Sequence, residues 1–168
     1  MTGIRLRRWS TSDADLLREA NTEAMTRFIA GPESADEVIR QHENYLRRWE
    51  EGSARMFVVL DGEDAVGGIG WWQTKWAGES AVETGWFVLP QAQGRGVAGE
   101  AVRLIIADAM RSGPPESRLY AFPSTGNRPS NALCARAGFE LLGEDDFPFR
   151  GRDLRVNVWR HSLTPKSP

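Results

Sequence analysis

The sequence of 168 residues lacks most features that mark extracellular or membrane-bound proteins. Its single cysteine, Cys134, excludes a disulfide within the chain and fits a reducing compartment. No run approaches the roughly 18 apolar residues of a membrane-spanning helix, and the N-terminal MTGIRLRRWS has no apolar signal core. We therefore expect a cytoplasmic protein that does not associate with membranes.

An excess of one charge is also lacking. The chain has 21 basic and 23 acidic residues, whereas nucleic-acid-binding proteins usually have a strong basic excess, so we expect no nucleic-acid partner. His42 and His161 have no cysteine or acid at ligand spacing, which predicts no metal site. No Ser-His-Asp arrangement is evident either.

Length and composition are those of one globular domain. A chain with 40% hydrophobic and 26% charged residues matches an ordinary soluble protein. At this length, folding buries roughly two thirds of the unfolded surface, enough for a core without metals or disulfides. We expect a single domain over residues 1–168, with residues 164–168 as a frayed tail.

Local signals predict the element order β-α-α-β-β-β-α-β-α-β-β. Ser12 and Ser34, each three residues before an acid, predict the starts of the first two helices, and Gly52 predicts the end of the second. Asp61-Gly62 predicts a hairpin. A strand ending in WFVLP, a glycine loop, a helix and a further strand form one βαβ crossover. The sequence thus predicts an α/β fold with a mixed, mostly antiparallel sheet and one parallel pair.

The segment LPQAQGRGVAGEAV has Gly94, Gly96 and Gly99 at the G-x-G-x-x-G spacing of dinucleotide-binding folds. That interpretation fails because four residues separate the strand from Gly94, the motif lies in mid-chain, and no acid ends the next strand. A nucleoside triphosphate loop fails because no Lys-Ser or Lys-Thr follows. Glycines before a helix can still direct backbone N–H groups at an anion, with Arg95 adding a cation. A tight turn without a ligand is the alternative.

The glycine loop and the last helix together resemble the GNAT N-acetyltransferase superfamily. QGRGVA, from Gln93 to Ala98, matches its Gln/Arg-x-x-Gly-x-Gly/Ala signature. NRPSNALCARAGF, from Asn127 to Phe139, is similar to its Asn-x-x-Ser/Ala helix ending in Gly-Phe, especially in the branch of ribosomal-protein alanine N-acetyltransferases. The resemblance covers nearly the whole chain. It implies a GNAT-type acyl-CoA N-acyltransferase fold and transfer of acetyl from acetyl-CoA to a primary amine, by direct attack in a ternary complex.

The resemblance also implies how the coenzyme is held. The pantetheine arm lies between two diverging parallel strands, bonded by the backbone of Phe87 and Val88, and the Val88 N–H polarises the thioester carbonyl. Asn127 and Ser130 border this arm, and Arg136 lies near the phosphates unless it is merely a surface charge. The residues implied to cradle the pyrophosphate are Gln93, Gly94, Arg95, Gly96, Val97, Ala98 and Gly99.

An ammonium group must lose a proton before it can attack, so the reaction needs a general base. Glu83 interrupts an apolar strand five residues before Val88, where related sequences often have a carboxylate. Burial would raise the pKa of this carboxyl, as suits a base. Glu83 is therefore the candidate base, and a solvent-facing or ion-paired glutamate is the alternative.

The departing thiolate must be protonated. Many family members have a tyrosine seven residues after the helix asparagine, where this chain has Cys134. A thiol with a pKa of about 8.5 could donate a proton, but a free cysteine is more often a small buried apolar residue, which is the interpretation we favour. Ser130, Tyr120 or water are the other candidate donors.

The sequence leaves the acceptor open, because specificity lies in loops that spacing does not describe. A protein N-terminus, an amino acid, a polyamine and an antibiotic amine all fit, and a homodimer is common in such families. Trp71, Trp72 and Trp76 could line an acceptor pocket, although core positions are commoner for aromatic residues. The acidic run from Glu144 to Asp146 could attract a cationic acceptor. A non-catalytic acyl-CoA-binding module, favoured by the missing tyrosine, and a tryptophan-rich interaction protein are the other open classes.

Overall fold

The structure is a computed structural model that describes residues 3–115 and 117–164, so all of the predicted frayed tail except Thr164 lies outside the described residues. The predicted order of elements is present, with two short elements added, a helix at Glu23–Thr26 and a 3₁₀ turn at Pro90–Ala92. The elements are β1 (Ile4–Arg8), α1 (Ala14–Ala20), α2 (Glu23–Thr26), α3 (Ala35–Glu51), β2 (Ala54–Asp61), β3 (Asp64–Trp76), β4 (Glu79–Val88), α4 (Val97–Ser112), β5 (Arg118–Ala121), α5 (Arg128–Arg136), β6 (Glu140–Phe149) and β7 (Arg152–Ser162).

The strands form one seven-stranded sheet in the order β1-β2-β3-β4-β5-β7-β6. Among the described residues, all neighbouring strands pair antiparallel except β4 and β5, which are parallel. This confirms the predicted mixed α/β fold with one βαβ crossover. Helix α4 makes that crossover, which places the glycine loop between β4 and α4.

The helix-start signals have different outcomes. Ser34 and Glu37 form the capping box that their spacing predicts, and Gly52 ends α3 with a φ of 76°. Ser12, in contrast, does not cap α1, because Asp13 takes the N-cap position. The Asp13 carboxylate accepts hydrogen bonds from Arg7 and from the Ser10 amide, and it anchors the chain just before the helix.

Helices cover both faces of the sheet. Val102 and Ile105 of α4 and Leu133 of α5 belong to a core cluster on one face. Leu17 of α1 and Val38 of α3 belong to a second cluster on the other face. No helix in the described ranges is both long enough and apolar enough to cross a bilayer.

The parallel pair is much shorter than the strands that flank it. Only Val82 with Leu119 and Glu83 with Tyr120 are in register. Strand β4 then continues to Val88 beside β3, whereas β5 ends one residue after Tyr120. The two strands therefore diverge, and the last part of β4 keeps an open edge facing the first turn of α5.

A buried carboxylate fixes α4 against the sheet. Asp108 accepts two hydrogen bonds from the Arg55 guanidinium, at 2.8 and 2.9 Å, and a third from the Trp71 indole at 2.8 Å. The Asp108 side chain is 8% exposed and that of Arg55 is 33% exposed. Because these donors lie on β2 and β3, the network sets the position of α4, and with it the glycine loop.

We expect Asp108→Ala to lower the free energy of unfolding by about 2–4 kcal/mol, because the Arg55 and Trp71 donors lose their acceptor away from water. Urea unfolding followed by circular dichroism measures this. The matched control is Asp15→Ala, which removes an exposed ion pair with Arg18 and should leave the midpoint unchanged. Equal midpoints for the two variants would contradict the anchoring role of Asp108.

Candidate functional site

A cleft of about 170 Å³ opens where β4 and β5 diverge. The loop after α2, the end of β5, the first turn of α5 and strand β7 enclose it. Its lining residues are Phe28, Ile29, Glu83, Thr84, Gly85, Trp86, Ala121, Phe122, Pro123, Ser124, Asn127, Ser130 and Leu154. Glu83, Asn127 and Ser130, three of the residues singled out in the sequence, are thus brought together.

The backbone of β4 presents Trp86 and Val88 to the open edge. The Leu89 N–H donates to the Val66 carbonyl on the β3 side. The Phe87 carbonyl also faces β3, since a Cβ added at Gly67 would lie 2.3 Å from it. Peptide groups alternate in direction along a strand, so those of Trp86 and Val88 point away from β3. The peptide groups of Phe87, which the resemblance places against the pantetheine arm, thus face β3, whereas those of Trp86 face the open edge.

The glycine loop presents backbone N–H groups at the start of α4. Gly94 and Gly96 have φ values of 74° and 78°, and Gly96 is the N-cap of α4 without a side-chain capping bond. In the described part of the chain, no group accepts a hydrogen bond from the backbone amides of residues 94–99. Added side chains at Gly94 and Gly96 would meet open space. Such amides, with the positive end of the helix dipole, favour an anion.

The other predicted loop residues have distinct environments. The Gln93 side chain donates to the Val88 carbonyl at 2.8 Å and so connects the loop to the end of β4. The Val97 side chain is buried in the core, and Ala98 packs against it. Gly99 is exposed, with Leu133 of α5 as its nearest neighbour. Val97, Ala98 and Gly99 form the first turn of α4, so their amides lie at the N-terminal end of this helix.

Arg95 is held beside the loop by a buried carboxylate. Its guanidinium lies 3.6 Å from Oδ2 of Asp61, whose side chain is 8% exposed. The second oxygen of Asp61, Oδ1, is buried and has no hydrogen-bond partner among the described residues. Asp61 is the last residue of β2, so the hairpin predicted there brings this acid to the loop.

The first turn of α5 is fixed by a residue that sequence reasoning missed. The Asn131 amide donates to the carbonyls of Ser124 and Asn127, and its Oδ1 accepts from Asn157 and Trp159. The Asn127 side chain accepts from the Ser130 amide at 3.3 Å. These bonds hold both cleft-lining residues, Asn127 and Ser130, in place.

Glu83 lies at the divergence point and is enclosed from several sides. Burial raises the pKa of its carboxyl to about 7, although a hydrogen bond from Trp72 and the charge of Arg48 act in the opposite direction. The Trp72 indole donates to Oε2 of Glu83 at 3.0 Å. A carboxyl with such a pKa changes protonation state near neutral pH, as a general base requires.

The candidate proton donors are placed differently. Cys134 is fully buried in the core cluster, and burial raises the pKa of its thiol to about 12. Tyr120 stacks on Phe122 and does not line the cleft. Ser130 does line it. The environment of Cys134 therefore matches the small buried apolar residue that we favoured, and argues against a proton donor.

Trp71, Trp72, Trp76 and the acidic run do not line the cleft. Trp71 is buried in the core, Trp72 bonds Glu83, and Trp76 contacts the rings of Tyr120 and Phe122. The acids from Glu144 to Asp146 are exposed along β6. Sequence reasoning thus missed the aromatic residues that do line the cleft, since strand alternation alone does not say which face is open.

A second cavity of about 410 Å³ lies between α4 and α5. Its lining residues are Gly99, Arg103, Ile106, Leu133, Arg136, Ala137 and His161. Gly99 connects it to the glycine loop, and Arg136 is one of its two basic residues. Within residues 3–115 and 117–164, no group of three histidine, cysteine or acidic side chains is arranged to hold a metal.

Comparison with known proteins identifies the family. A family model described as an acetyltransferase (GNAT) domain matches residues 4–140. No curated protein matches the chain significantly.

Solved structures share the fold. RimL, a ribosomal L7/L12 alpha-N-protein acetyltransferase in complex with coenzyme A, is 18% identical with a TM-score of 0.79, over 96% of this chain and 95% of its own. Spermidine N-acetyltransferase from Vibrio cholerae, in complex with coenzyme A and spermine, is 19% identical with a TM-score of 0.76, over 95% of both chains. The ribosomal-protein-S5-alanine acetyltransferase from Vibrio fischeri is 19% identical with a TM-score of 0.76, over 100% of this chain and 97% of its own.

The raised pKa of Glu83 predicts a pH-dependent stability. The folded state favours the protonated carboxyl, so the free energy of unfolding falls as pH rises from about 4.5 to about 7. Glu83→Gln removes this loss. Above pH 7 we expect the variant to be more stable than the parent by up to about 3 kcal/mol, with no such gain below pH 4.5.

Urea unfolding at several pH values measures the difference. The control is Glu79→Gln, at an exposed position of the same strand, which should not change the pH dependence. A constant difference between Glu83→Gln and the parent across the range would show that burial does not perturb Glu83.

Proposed function

We propose, from the premise that this chain belongs to the GNAT acetyltransferase family, that it transfers an acetyl group from acetyl-CoA to a primary amine. One observation carries the proposal: a short turn after the open edge of β4 leads to a glycine loop whose amides have no acceptor among the described residues. An extended chain of amides that ends in phosphates matches both features, and the pantetheine arm with its pyrophosphate is such a chain. The neighbouring structures that contain coenzyme A support this choice.

The coenzyme would bind along three parts of the site. The amides of residues 94–99 would hold the pyrophosphate, with Arg95 beside them. The peptide groups of Trp86 would bond the pantetheine arm as a neighbouring strand does, and Asn127 would hydrogen-bond the arm from the opposite side. The Val88 carbonyl already accepts from Gln93, which leaves the Val88 N–H for the thioester. Arg136 lines the second cavity, which continues from Gly99, so we assign this cavity to the nucleotide end.

The chemistry follows from where charge develops. Glu83 takes a proton from the substrate ammonium, and the freed amine attacks the thioester carbon, so that a C–N bond forms and the C–S bond breaks. The Val88 N–H, directed at the open edge, donates to the carbonyl oxygen as negative charge accumulates there. Ser130 or water supplies the proton to the departing thiolate, because the pKa of Cys134, at about 12, makes that thiol a poor donor.

A second candidate function is an acyl-CoA-binding module without catalysis. The absence of a tyrosine at position 134 favours it, whereas the buried carboxyl at the divergence point favours an enzyme. Acetyl-CoA binding without thiol release across a broad amine panel would establish the module. A cytoplasmic location is proposed together with the enzyme, and the single cysteine supports it.

We expect Glu83→Gln to lower kcat about 10²- to 10⁴-fold, because the ammonium loses its proton acceptor. The parent enzyme should lose activity below a pH of about 7 as Glu83 becomes protonated, and the variant should not show this loss. Steady-state kinetics from pH 5.5 to 9 with saturating amine measure both effects.

Two further variants sharpen this test. Trp72→Phe removes the hydrogen bond that lowers the pKa of Glu83, so the acidic limb should move to higher pH. Glu79→Gln should leave the profile unchanged. A parent-like profile for Glu83→Gln would exclude Glu83 as the base.

Arg136→Glu tests the nucleotide end. We expect about a tenfold loss of coenzyme A affinity, equal to about 1.4 kcal/mol, and a smaller loss for a coenzyme that lacks the ribose 3′-phosphate. Calorimetric titration with both compounds measures it. Arg47→Glu, on α3, is the control and should bind both as the parent does. Unchanged affinity in Arg136→Glu would show that Arg136 is a surface charge that does not contribute to coenzyme binding.

A further inference from the structure

The cleft has very little negative charge. Glu83 is the only charged residue among those that line it. Buried ammonium groups need a carboxylate or several acceptors each, because an unpaired charge away from water is strongly unfavourable. One carboxylate can accept one cation, and a second ammonium of the same substrate would lie against apolar side chains without a partner.

The other acids close to this side of the sheet are already engaged. Glu144 and Asp146 lie 3.6 and 3.2 Å from the Arg155 guanidinium. The Asp145 carboxylate accepts a hydrogen bond from the Asp146 amide. Arg155 offsets only part of the charge of the acidic run on β6, but none of these three acids lines the cleft, so the run adds no second carboxylate there.

The loop after α2, which forms one wall of the cleft, is held in place by an arginine and not by an acid. Arg150, between β6 and β7, donates to the Gly31 and Pro32 carbonyls at 2.7 and 3.1 Å and lies 3.6 Å from Glu37. This fixes the loop that carries Phe28 and Ile29. Glu37, the acid next to this loop, is thus paired with Arg150 and does not line the cleft.

The walls near Glu83 are mostly apolar. Phe28, Ile29, Phe122 and Leu154 line the cleft, and Phe122 is held by stacking on Tyr120. These apolar walls suit one ring or a short branched alkyl group next to the acceptor nitrogen.

We infer that the acceptor is a primary amine with a single positive charge and an apolar or aromatic group within a few bonds of the nitrogen. The inference rests on the proposed acetyl transfer and adds the chemical class of the acceptor. A free arylalkylamine and the N-terminus of a peptide with an apolar first residue both present this chemistry. Polyamines and aminoglycosides do not.

The test compares acceptors at equal concentration, with release of the coenzyme thiol as the signal. The probes are 2-phenylethylamine, spermidine, and two hexapeptides that differ only in an N-terminal phenylalanine or lysine. We expect kcat/KM for 2-phenylethylamine to exceed that for spermidine at least tenfold, and the phenylalanyl peptide to exceed the lysyl peptide similarly. Whichever of the two favoured probes is faster identifies the source of the amine.

A charge variant tests the physical reason. Leu154→Glu adds a second carboxylate to the cleft, so kcat/KM should rise for spermidine and fall for 2-phenylethylamine, and the preference should change about tenfold or more. Leu141→Glu, at an exposed position of β6 outside the cleft, is the matched control and should keep the parent preference. A thermal shift with acetyl-CoA confirms that both variants are folded and bind the coenzyme.

The outcomes separate this inference from the proposed function. Faster acetylation of spermidine than of 2-phenylethylamine by the parent enzyme would overturn the inferred acceptor class and leave acetyl transfer intact. An unchanged preference in Leu154→Glu would also overturn it. Acetyl-CoA binding without acetylation of any probe would overturn the acceptor class, and the same result across a broad amine panel would overturn acetyl transfer itself.

Discussion

The site depends on a mismatch in strand length. Strand β4 has ten residues and β5 has four, so their parallel pairing ends after two registered residues. Peptide groups in the interior of a protein need partners. Where β5 turns away, the peptide groups of Trp86 and the Val88 N–H have no partner strand, whereas the Val88 carbonyl accepts from Gln93. This open edge can pair with another extended chain, and the proposed coenzyme arm is such a chain.

The second requirement of the proposed coenzyme site is that unpaired amides lie close to the end of the open edge. The left-handed backbone at Gly94 and Gly96 turns the chain so that α4 starts with its N–H groups exposed. The direction of α4 is set far from this loop, by the bonds of Asp108 to Arg55 and Trp71. Near the loop, Asp61 places Arg95. Two buried acids thus determine the geometry of a site for an anion without belonging to it.

Local signals predicted much of the fold and part of the site. The capping box of Ser34 and Glu37 and the end of α3 at Gly52 depend on residues a few positions apart, so the sequence contains them. The crossover through the glycine loop follows from the order of elements. Trp86 was missed because the direction of a peptide group depends on which partner strand is bonded. Asn131 was missed because its four bonds join segments that are distant in sequence. The burial of Cys134 likewise depends on the packing of α5 on α4.

The enclosed carboxyl of Glu83 lowers the stability of the folded state at neutral pH. A carboxyl enclosed by apolar walls is held partly protonated at neutral pH, which weakens the folded state whenever the carboxyl ionises. In the proposed reaction, the same enclosure gives Glu83 a pKa close to neutral pH, and a glutamate in water would be too weak a base for that task. The Trp72 hydrogen bond limits the cost, because it favours the ionised form without bringing a second charge into the cleft. A lysine or arginine in place of that indole would stabilise the carboxylate more strongly, but it would lower the pKa of the base and repel the substrate ammonium. A neutral donor therefore limits the loss of stability and still leaves the pKa of the proposed base near neutral pH.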